Sequence, residues 1–501
     1  MQKRNVVILH TDQQRYDSLG CSGNGYARTP NLDALAEEGT LFSRHMSANP
    51  ICMPSRASLM TGLYPPGHNV WTNGVPLNRH AYANVEWGPE HWGIDVVPEP
   101  PTLADVFAGA GYDTVALGKL HLTPNLAPVS YGFPEAESTW KQKEIEDWHG
   151  PYYGFRYVDL TIGHGEQVCR GGHYGAWLRD QHPEVLARLD AREPSMGSGA
   201  PYLRDLYTLP MCFEHHYTNW LAERFCDYLE RERPREQPFF AFVGFPDPHH
   251  PFTPCEDIEA QFHTAAVREP SDPSGEGLVG VPARALAGLD ITDMPVEVLQ
   301  AVLRNTTAMI FQIDLAVGRI LDALKANGLW EDTIVVFTSD HGDFLGDHGR
   351  LRKGTLSSNA LLHVPLLMRA PGADLPQRID APVSNCDVMP TVATLAGIEA
   401  PALCHGRDVS AQAGSESYAL AYCTNGDPRY TSHTVVDQDH RMTLYPHSGY
   451  VELFDHRHDP GECVNVAGRG EYQGRILLLM DVLRERMLDY YHPIVGRVCL
   501  W

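Results

Sequence analysis

The chain opens with a compact apolar run, residues 5–11, that ends at once in the polar stretch Asp12-Gln13-Gln14-Arg15. An uninterrupted apolar run of this length is typical of a strand buried on both faces of a parallel sheet. Residues 31–39 then carry apolar side chains at helical spacing and end in glycine, a common helix stop. The first forty residues therefore predict a strand, a polar loop and a helix.

The same pattern recurs along the chain. Apolar runs at residues 114–117, 239–245 and 333–338 predict three further strands, and a helix candidate precedes each of them. The clearest of these helices has one apolar face from Ile310 to Leu324 and ends at Asn327-Gly328. This alternation predicts an α/β fold with a mostly parallel central sheet flanked by helices.

Polar and ionisable residues follow each of the predicted strands. Because ligands of open α/β sheets bind outside the carboxyl ends of the strands, we expect these segments to meet at one site. The residues concerned are Asp12 and Gln13, Lys119 and His121, His249 and His250, and Asp340 and His341.

Two regions depart from this alternation. Residues 140–200 are rich in Trp, Tyr, His and Gly with little periodicity, which suggests an inserted loop region over the site, and residues 201–226 then turn helical. Near the C-terminus, short alternating strands at 418–424, 432–437, 441–445 and 450–455 and a helix at 474–490 predict a small antiparallel sheet.

We accordingly divide the chain into a catalytic α/β domain, residues 1–412, and a C-terminal α+β subdomain, residues 413–501. The final segment, residues 493–501, is too apolar for a free terminus. It predicts packing against a neighbouring subunit, and so a homo-oligomer, either a dimer or a tetramer.

Composition narrows the class of protein. Hydrophobic residues make up 43% and charged residues 20% of the chain, and no apolar run approaches the roughly 20 residues that span a bilayer. The start of the chain lacks a signal-peptide core, and eleven cysteines occur singly with no Cys-x-x-Cys pair, so we predict a cytoplasmic protein without a disulfide framework or a zinc ribbon. The net charge of −24 disfavours nucleic acids and anionic membranes as partners.

Four of the strand-end residues have side chains that bind metals. Asp12, Gln13 and Asp340 offer oxygen ligands and His341 offers an imidazole. Oxygen-dominated sets suit Ca²⁺, Mg²⁺ or Mn²⁺, whereas the imidazole favours Mn²⁺ or Zn²⁺. Asp340-His341-Gly342 alone would equally fit a turn at the end of a strand, and it is the pairing with Asp12-Gln13 that favours a metal site.

The most distinctive motif lies at residues 49–62, which read Cys-x-Pro-Ser-Arg-x-x-Leu-x-Thr-Gly from Cys52 onward. A Cys-x-Pro by itself fits a buried cysteine at the start of a helix. The full run resembles the sulfatase signature, in the sulfatase branch of the alkaline phosphatase superfamily. The resemblance implies an alkaline-phosphatase-like fold and a Cys52 that a formylglycine-generating enzyme oxidises to formylglycine. It further implies that residue 52 is a metal ligand, while Arg56 pairs with the metal carboxylates.

Residues 111–121 look like the second sulfatase signature. A phosphate-binding P-loop is the competing interpretation of Gly118-Lys119, but Asp113 replaces its first glycine and Leu120 its Ser or Thr. In the family, the positions of Lys119 and His121 hold the formylglycine and the substrate anion.

Three more positions match the family. Pro248-His249-His250-Pro251 resembles the segment in which the first histidine faces the leaving group, so His249 is a candidate general acid. Lys353 follows the metal-binding loop and would clamp a substrate oxygen. Asn73 corresponds in spacing to a substrate-contacting Asn of phosphonate monoester hydrolases, although on its own it would indicate an Asn-Gly turn.

The chain departs from many arylsulfatases at Gln13, where they have a second aspartate. An Asp-Gln pair is similar to choline sulfatases and phosphonate monoester hydrolases, whereas Lys119 with His121 favours sulfatases. We therefore predict a metal-dependent arylsulfatase-type hydrolase of a small-molecule sulfate ester, with Ca²⁺ first and Mn²⁺ second as its metal. A phosphonate monoester or phosphodiester hydrolase with the same nucleophile is the alternative, and a non-catalytic anion-binding protein the more remote one.

Overall fold

A computed structural model of the chain describes residues 3–78, 100–142, 145–191, 203–410 and 417–490. Its strands are β1 (Asn5–Thr11), β2 (Thr40–Phe42), β3 (His45–Met46), β4 (Asp113–Gly118), β5 (Tyr157–Leu160), β6 (Phe239–Gly244), β7 (Leu289–Asp290), β8 (Thr333–Ser339), β9 (Arg350–Leu351), β10 (Leu366–Arg369), β11 (Arg378–Ile379), β12 (Val383–Ser384), β13 (Ala419–Cys423), β14 (Ser432–Val436), β15 (His440–Tyr445) and β16 (Tyr450–Asp455).

The helices of the described residues lie between and after these strands. They are α1 (Pro30–Glu38), α2 (Cys52–Thr61), α3 (Pro65–His68), α4 (Leu103–Gly109), α5 (Gly172–Gln181), α6 (Pro183–Ala191), α7 (Tyr217–Asp227), α8 (Glu256–Glu259), α9 (Val296–Ala326), α10 (Asn359–Leu362), α11 (Val388–Leu395) and α12 (Gln473–Tyr490).

The predicted central sheet is confirmed. Its strands follow the order β11-β2-β10-β8-β1-β6-β4-β5, and β8, β1, β6, β4 and β5 all run parallel. β10 pairs antiparallel with both of its neighbours, which makes the sheet mixed. Because β1 lies at the centre with parallel partners on both sides, every one of its residues is buried, as its continuous apolar run predicts.

Helices cover both faces of this sheet. Val7 and Leu9 of β1 pack into a core shared with α1, α7 and α9, and Val6 and Ile8 pack into a second core shared with α2, α4 and α11. Successive strand residues point to opposite faces, so one short run supplies both cores. The result is a three-layer arrangement in which the carboxyl ends of the parallel strands lie along one edge of the sheet.

The structure of residues 140–200 differs from the predicted loop region. Their described part is not a loop region, because β5 extends the central sheet and α5 and α6 pack beside it. The aromatic and histidine content masked a strand of only four residues. The helix predicted over 201–226 is also shorter, since only α7 is helical apart from a single turn at Phe213–His215.

The C-terminal antiparallel sheet is confirmed as the meander β13-β14-β15-β16, and α12 packs against β14. The boundary proposed between residues 412 and 413 and the apolar segment 493–501 both lie outside the described residues. In the part of the chain that is described, we find no helix with the length and apolar character required to cross a bilayer.

Candidate active site

The strand ends meet as the sequence predicts. Thr11 of β1 pairs in register with Ser339 of β8, so the residues that follow, Asp12 and Asp340, leave the sheet side by side. On the other side of β1, β6 and β4 end together at the paired Gly244 and Gly118. A side chain on either glycine would collide with the backbone of the neighbouring strand, which explains how these ends approach so closely.

Four side chains form a buried cluster at this edge. Asp12, Cys52, Asp340 and His341 each offer one ligand atom, and these atoms all lie within 4.8 Å of one another. The Sγ atom of Cys52 is 3.2 Å from Nε2 of His341 and 3.8 Å from Oδ1 of Asp12. The cluster thus joins the ends of β1 and β8 to the first residue of α2.

Helix α2 presents Cys52 from its amino terminus. The helix is buried along its whole length and has no side-chain cap of its own at Ile51. Instead, Oδ1 of Asn73 accepts a hydrogen bond from the backbone N–H of Met53 at 3.1 Å. Asn73 therefore caps the helix that carries Cys52, and the residue it binds, Met53, is next to the predicted nucleophile in the chain.

Arg56 binds the two carboxylates of the cluster. Its Nε donates to Oδ2 of Asp340 at 2.8 Å and its Nη2 to Oδ2 of Asp12 at 3.1 Å, and the side chain is 1% exposed. Burial opposes ionisation of Asp12, but the charges of Lys119 and Arg56 outweigh it and hold the pKa of Asp12 well below its ordinary value. Each carboxylate keeps its other oxygen, Oδ1, toward Cys52 and His341.

Lys353 extends into the same cluster. Its Nζ lies 2.7 Å from Sγ of Cys52, 2.8 Å from Nε2 of His249, 3.1 Å from Nε2 of His341 and 3.4 Å from Oε1 of Gln13. Burial and Asp12 raise the pKa of the Cys52 thiol, but Lys353 and His341 lower it by a larger amount. The net effect is a pKa below the ordinary value of cysteine. The point where these donors converge therefore holds positive charge.

Lys119 and two histidines form the wall beside Asp12. Nζ of Lys119 donates to Oδ2 of Asp12 at 2.5 Å and also contacts Nε2 of His164. The rings of His164 and His249 stack with centroids 3.6 Å apart and an interplanar angle of 14°. Burial and Lys119 lower the pKa of His164 to about 3, so this ring stays neutral and accepts from the lysine.

His249 is neutral in the resting site. Burial, His164 and Lys353 together lower its pKa well below the ordinary value of histidine. The sequence predicts His249 as a general acid, a role in which the ring must first gain a proton. A proton on His249 requires added negative charge close to the ring.

Two predicted residues contact the cluster only in part. Nε2 of Gln13 faces away, toward Asp343 at 2.5 Å and His250 at 3.0 Å, so only Oε1 of Gln13 lies near the donors. His121 adopts a left-handed backbone with φ 55° and donates its backbone N–H to Glu135. Among the described residues, Nδ1 of His121 has no hydrogen-bond partner, and no hydrogen bond links His121 to Cys52.

His164 and Asp343 belong to the site and were missed. His164 follows β5 as His249 follows β6, so the rule of polar residues after strand ends would have found it had β5 been recognised. Asp343 lies two residues beyond His341, and its Oδ2 fixes the Gln13 amide. Nothing in the spacing of Asp343 distinguishes it from an ordinary loop aspartate.

The donors fit a hard divalent metal ion. Two carboxylate oxygens, one imidazole nitrogen and residue 52 converge within 4.8 Å, and the amide oxygen of Gln13 lies beside them. Oxygen-dominated sets with one imidazole match Ca²⁺ or Mn²⁺ better than a thiolate-rich zinc site. Arg56 holds Oδ2 of both carboxylates, and the backbone N–H groups of Gln13 and His341 donate to Oδ1 of Asp340, so outer partners orient the ligands as they do in metal sites.

Comparison with known proteins agrees with this arrangement. The family model described as Sulfatase matches residues 4–398, and the model described as N-sulphoglucosamine sulphohydrolase, C-terminal, matches residues 346–489. The arylsulfatase of Clostridium perfringens (strain 13 / Type A) is 27% identical over 499 residues, which cover 96% of this chain and 94% of that protein.

Two other similar proteins have names that refer to a phosphatase superfamily or to phosphonate hydrolysis. The multifunctional alkaline phosphatase superfamily protein PehA of Trinickia caryophylli is 28% identical over 437 residues, 82% of this chain and 77% of that protein. The crystal structure of the phosphonate monoester hydrolase of Agrobacterium radiobacter superposes with a TM-score of 0.74 at 25% identity, covering 97% of this chain and 96% of that one. With a family model that spans most of its length, this chain belongs to the sulfatase family, the sulfuric ester hydrolases of the alkaline phosphatase superfamily.

Proposed function

We propose that the chain hydrolyses sulfate monoesters in the manner of an arylsulfatase, with a nucleophile made from Cys52 by oxidation of its thiol to formylglycine. The observation that carries this proposal is the set of groups around Cys52: ligand atoms of Asp12, Asp340 and His341 within 4.8 Å and the ammonium of Lys353 at 2.7 Å. A metal ion held by these ligands would favour an oxyanion at this point, as do a buried cation and a helix N-terminus.

Two lysines are proposed to bind the sulfate oxygens. An ammonium group has three N–H donors. Lys119 uses two of them on Asp12 and His164 and keeps one for a substrate oxygen. Lys353 contacts Sγ of Cys52 and Nε2 of His249 and can turn toward the anion when it enters.

A divalent ion held by Asp12, Asp340, His341 and residue 52, with Gln13 beside it, would polarise the hydroxyl of residue 52 and a substrate oxygen. We propose Ca²⁺ as the first candidate and Mn²⁺ as the second. Arg56 then serves as a positioning residue, because it orients both carboxylates from the side away from Cys52.

The proposed reaction has two chemical steps and a rehydration. One hydroxyl of the formylglycine hydrate loses its proton to water and attacks sulfur, the bond between sulfur and the leaving oxygen breaks, and His249 gives that oxygen a proton. The charge of the bound sulfate raises the pKa of His249 and so allows it to carry this proton. Next, the second hydroxyl gives its proton to His121, the carbon–oxygen bond to sulfate breaks, and sulfate leaves with the electron pair as the aldehyde re-forms. Addition of one water to the aldehyde then restores the hydrate.

Hydrolysis of a phosphonate monoester or phosphodiester is the second candidate function. Gln13 in place of a second aspartate and the similarity to a phosphonate monoester hydrolase favour it. Lys119 together with His121 favours sulfate, because the resemblance places them at the positions that hold the formylglycine and the anion in sulfatases, and phosphonate monoester hydrolases usually lack them. We propose that sulfate is the preferred substrate and that phosphonate is turned over more slowly.

The decisive experiment combines mass and turnover. Protein co-expressed with a formylglycine-generating enzyme is digested with trypsin, and the mass of peptide 45–56 is compared with that from the Cys52→Ala variant prepared in the same way. We expect an aldehyde or its hydrate at residue 52 and a kcat/KM for an aryl sulfate above that for an aryl phosphonate with the same leaving group. An unmodified thiol in active protein would overturn the nucleophile, and a reversed substrate ratio would favour the second function.

We further propose the organisation, location and oligomeric state of the chain. We propose a catalytic unit at residues 1–412 and a C-terminal unit at 413–501, a cytoplasmic location where the maturation enzyme meets the unfolded chain, and a homo-oligomer. Measurement of the molecular mass in solution, with and without residues 493–501, tests the last point. An oligomer of unchanged size after deletion would contradict the proposed role of this segment.

A further inference from the structure

A second group of metal-binding side chains lies apart from the site described above. His182 lies where α5 ends, Glu184 is in the first turn of α6, and His215 ends the short helical turn that precedes α7. One ligand atom from each lies within 4.8 Å of the others. None of these residues contributes to the cluster around Cys52.

We propose that His182, Glu184 and His215 bind a divalent ion of the zinc type. Two imidazole nitrogens and one carboxylate oxygen form a ligand set that zinc uses with a fourth position left for water or a further ligand. Calcium and magnesium are disfavoured, because they require six or more ligands that are mainly oxygen. The metal would differ in kind from the one proposed at Cys52.

The distances suit such an ion. Nδ1 of His182 is 3.4 Å from Oε1 of Glu184, and the two histidine rings lie 4.4 Å apart at 51°. Two ligands about 2.0 Å from one tetrahedral zinc ion are separated by roughly 3.3 Å. His182 and Glu184 therefore already have the required spacing, and a ligand atom of His215 lies within 4.8 Å of both.

A fourth ligand is available next to His215. Sγ of Cys212 lies 3.3 Å from Nδ1 of His215, three residues along the same turn. Apart from Cys212 and Glu184, no described residue forms a hydrogen bond with a ring nitrogen of His182 or His215. Their lone pairs are thus free for a metal ion, while both rings remain half-buried.

The backbone holds the two halves of the cluster in place. Oη of Tyr174, in α5, donates to the carbonyl oxygen of His215 at 2.7 Å, and the backbone N–H of His182 donates to Leu178 at 2.9 Å. The ring of Trp177 packs 4.6 Å from that of His182. Metal binding would therefore join α5 and α6 to the start of α7 with little cost in backbone ordering.

A neighbouring histidine cluster shows what a closed group looks like. His149, Asp159 and His173 also approach within 4.8 Å. There, however, His173 accepts from the backbone N–H of Leu160 and donates to the carbonyl of Trp148, and Asp159 binds both His149 and Arg224. Those lone pairs are already engaged, so the group of His149, Asp159 and His173 has no free ligand set.

The test is a titration of the metal-free full-length protein with Zn²⁺, followed by calorimetry and by thermal unfolding. We expect wild type to bind one more zinc ion than His182→Gln or His215→Gln, or to bind it at least about tenfold more tightly, since even an outer partner of a metal is worth that factor. Only wild type should gain thermal stability from this site.

Three further variants make the result decisive. His263→Gln is the matched control, because His263 is exposed and its ring, among the described residues, forms a hydrogen bond only with the carbonyl of Ala260, so the variant should bind zinc as wild type does. Glu184→Gln changes an exposed residue, cannot disturb the core, and should weaken binding if the proposal is right. Asp340→Asn removes any zinc that binds instead at the cluster around Cys52. Unchanged zinc binding in the His182, Glu184 and His215 variants, with loss only in Asp340→Asn, would overturn the proposal.

Discussion

Arg56 and Arg441 are almost completely buried, and each lies between two carboxylates. Arg56 joins Asp12 and Asp340 at the strand ends of the central sheet. Arg441 lies in the C-terminal sheet, where its Nε and Nη2 bind both oxygens of Glu462 at 2.5 and 2.8 Å and its Nη1 is 3.6 Å from Glu452. The two groups have the same charges and similar burial.

They differ in what the remaining oxygens do. Around Arg56, each carboxylate keeps Oδ1 directed at Cys52 and His341, and two further cations lie close by. Around Arg441, Glu462 is also bound by His456 and by the backbone N–H of Asn359, so its oxygens are fully engaged. A buried ion pair becomes a candidate metal site only when it leaves ligand atoms that converge.

The pKa values show the same difference. Asp12 and Asp340 both have lowered pKa values, because the surrounding cations outweigh the cost of burial. In the C-terminal group one arginine serves two carboxylates: the pKa of Glu462 is lowered, whereas burial raises that of Glu452 to about 7. The active-site group keeps both carboxylates charged for a metal, and the C-terminal group does not.

The largest expected effect separates the two groups by function. Asp340→Asn removes one metal ligand and leaves Arg56 partly unpaired, so we expect kcat/KM for an aryl sulfate to fall by at least about a thousandfold, together with loss of bound metal. Glu452→Gln makes the same neutralising change beside Arg441 and should leave turnover unaltered. Turnover of Asp340→Asn within tenfold of wild type would show that the cluster at Cys52 is structural only.

Removal of each arginine should change the free energy of unfolding in a different way. Arg441→Met leaves Glu462 buried without its main partner and should lower the free energy of unfolding by about 3–5 kcal/mol. Arg56→Met should cost a similar amount in metal-free protein. Saturating Ca²⁺ or Mn²⁺ should then restore more stability to Arg56→Met than to Arg441→Met. In the first variant the cation replaces the lost charge beside Asp12 and Asp340, whereas in the second it binds the unchanged site and leaves Glu462 without its partner. Equal responses in urea denaturation would contradict the proposed difference.

The raised pKa of Glu452 predicts how stability depends on pH. A carboxyl with pKa 4.5 in the unfolded chain and about 7 in the fold stabilises the protein fully below pH 4.5, and this contribution is lost as pH rises toward 7. The loss amounts to about 3 kcal/mol. Glu452→Gln should remove this slope, so the variant gains stability over wild type at pH 8 but not at pH 4. Parallel urea curves at both pH values would contradict the shift.

The smallest expected effect concerns the caps beside each group. Asn73→Ala removes the cap of α2, and Ser358→Ala removes the cap of α10, whose hydroxyl also contacts Glu462. Each should lower the free energy of unfolding by about 1 kcal/mol. Only Asn73→Ala should also lower kcat/KM, because only α2 presents the predicted nucleophile. Equal turnover in the two variants would remove Asn73 from the site.

Sequence alone determined the central sheet and most of the site. Apolar runs at β1, β4, β6 and β8 were recognisable because strands buried on both faces carry no alternation, and the polar residues after them marked the edge where the site lies. The run beginning at Cys52 was specific enough to indicate the family, which the family model confirms. Local chemistry decided these features.

Only the tertiary structure decided the protonation states of the side chains in the site. His249 is neutral because burial, His164 and Lys353 act on it together, and no spacing in the chain encodes that combination. His164 entered the site through β5, a four-residue strand too short to show a period. The sequence specifies which groups reach the edge of the sheet, but charges that interact through space depend on distances that only the folded chain sets.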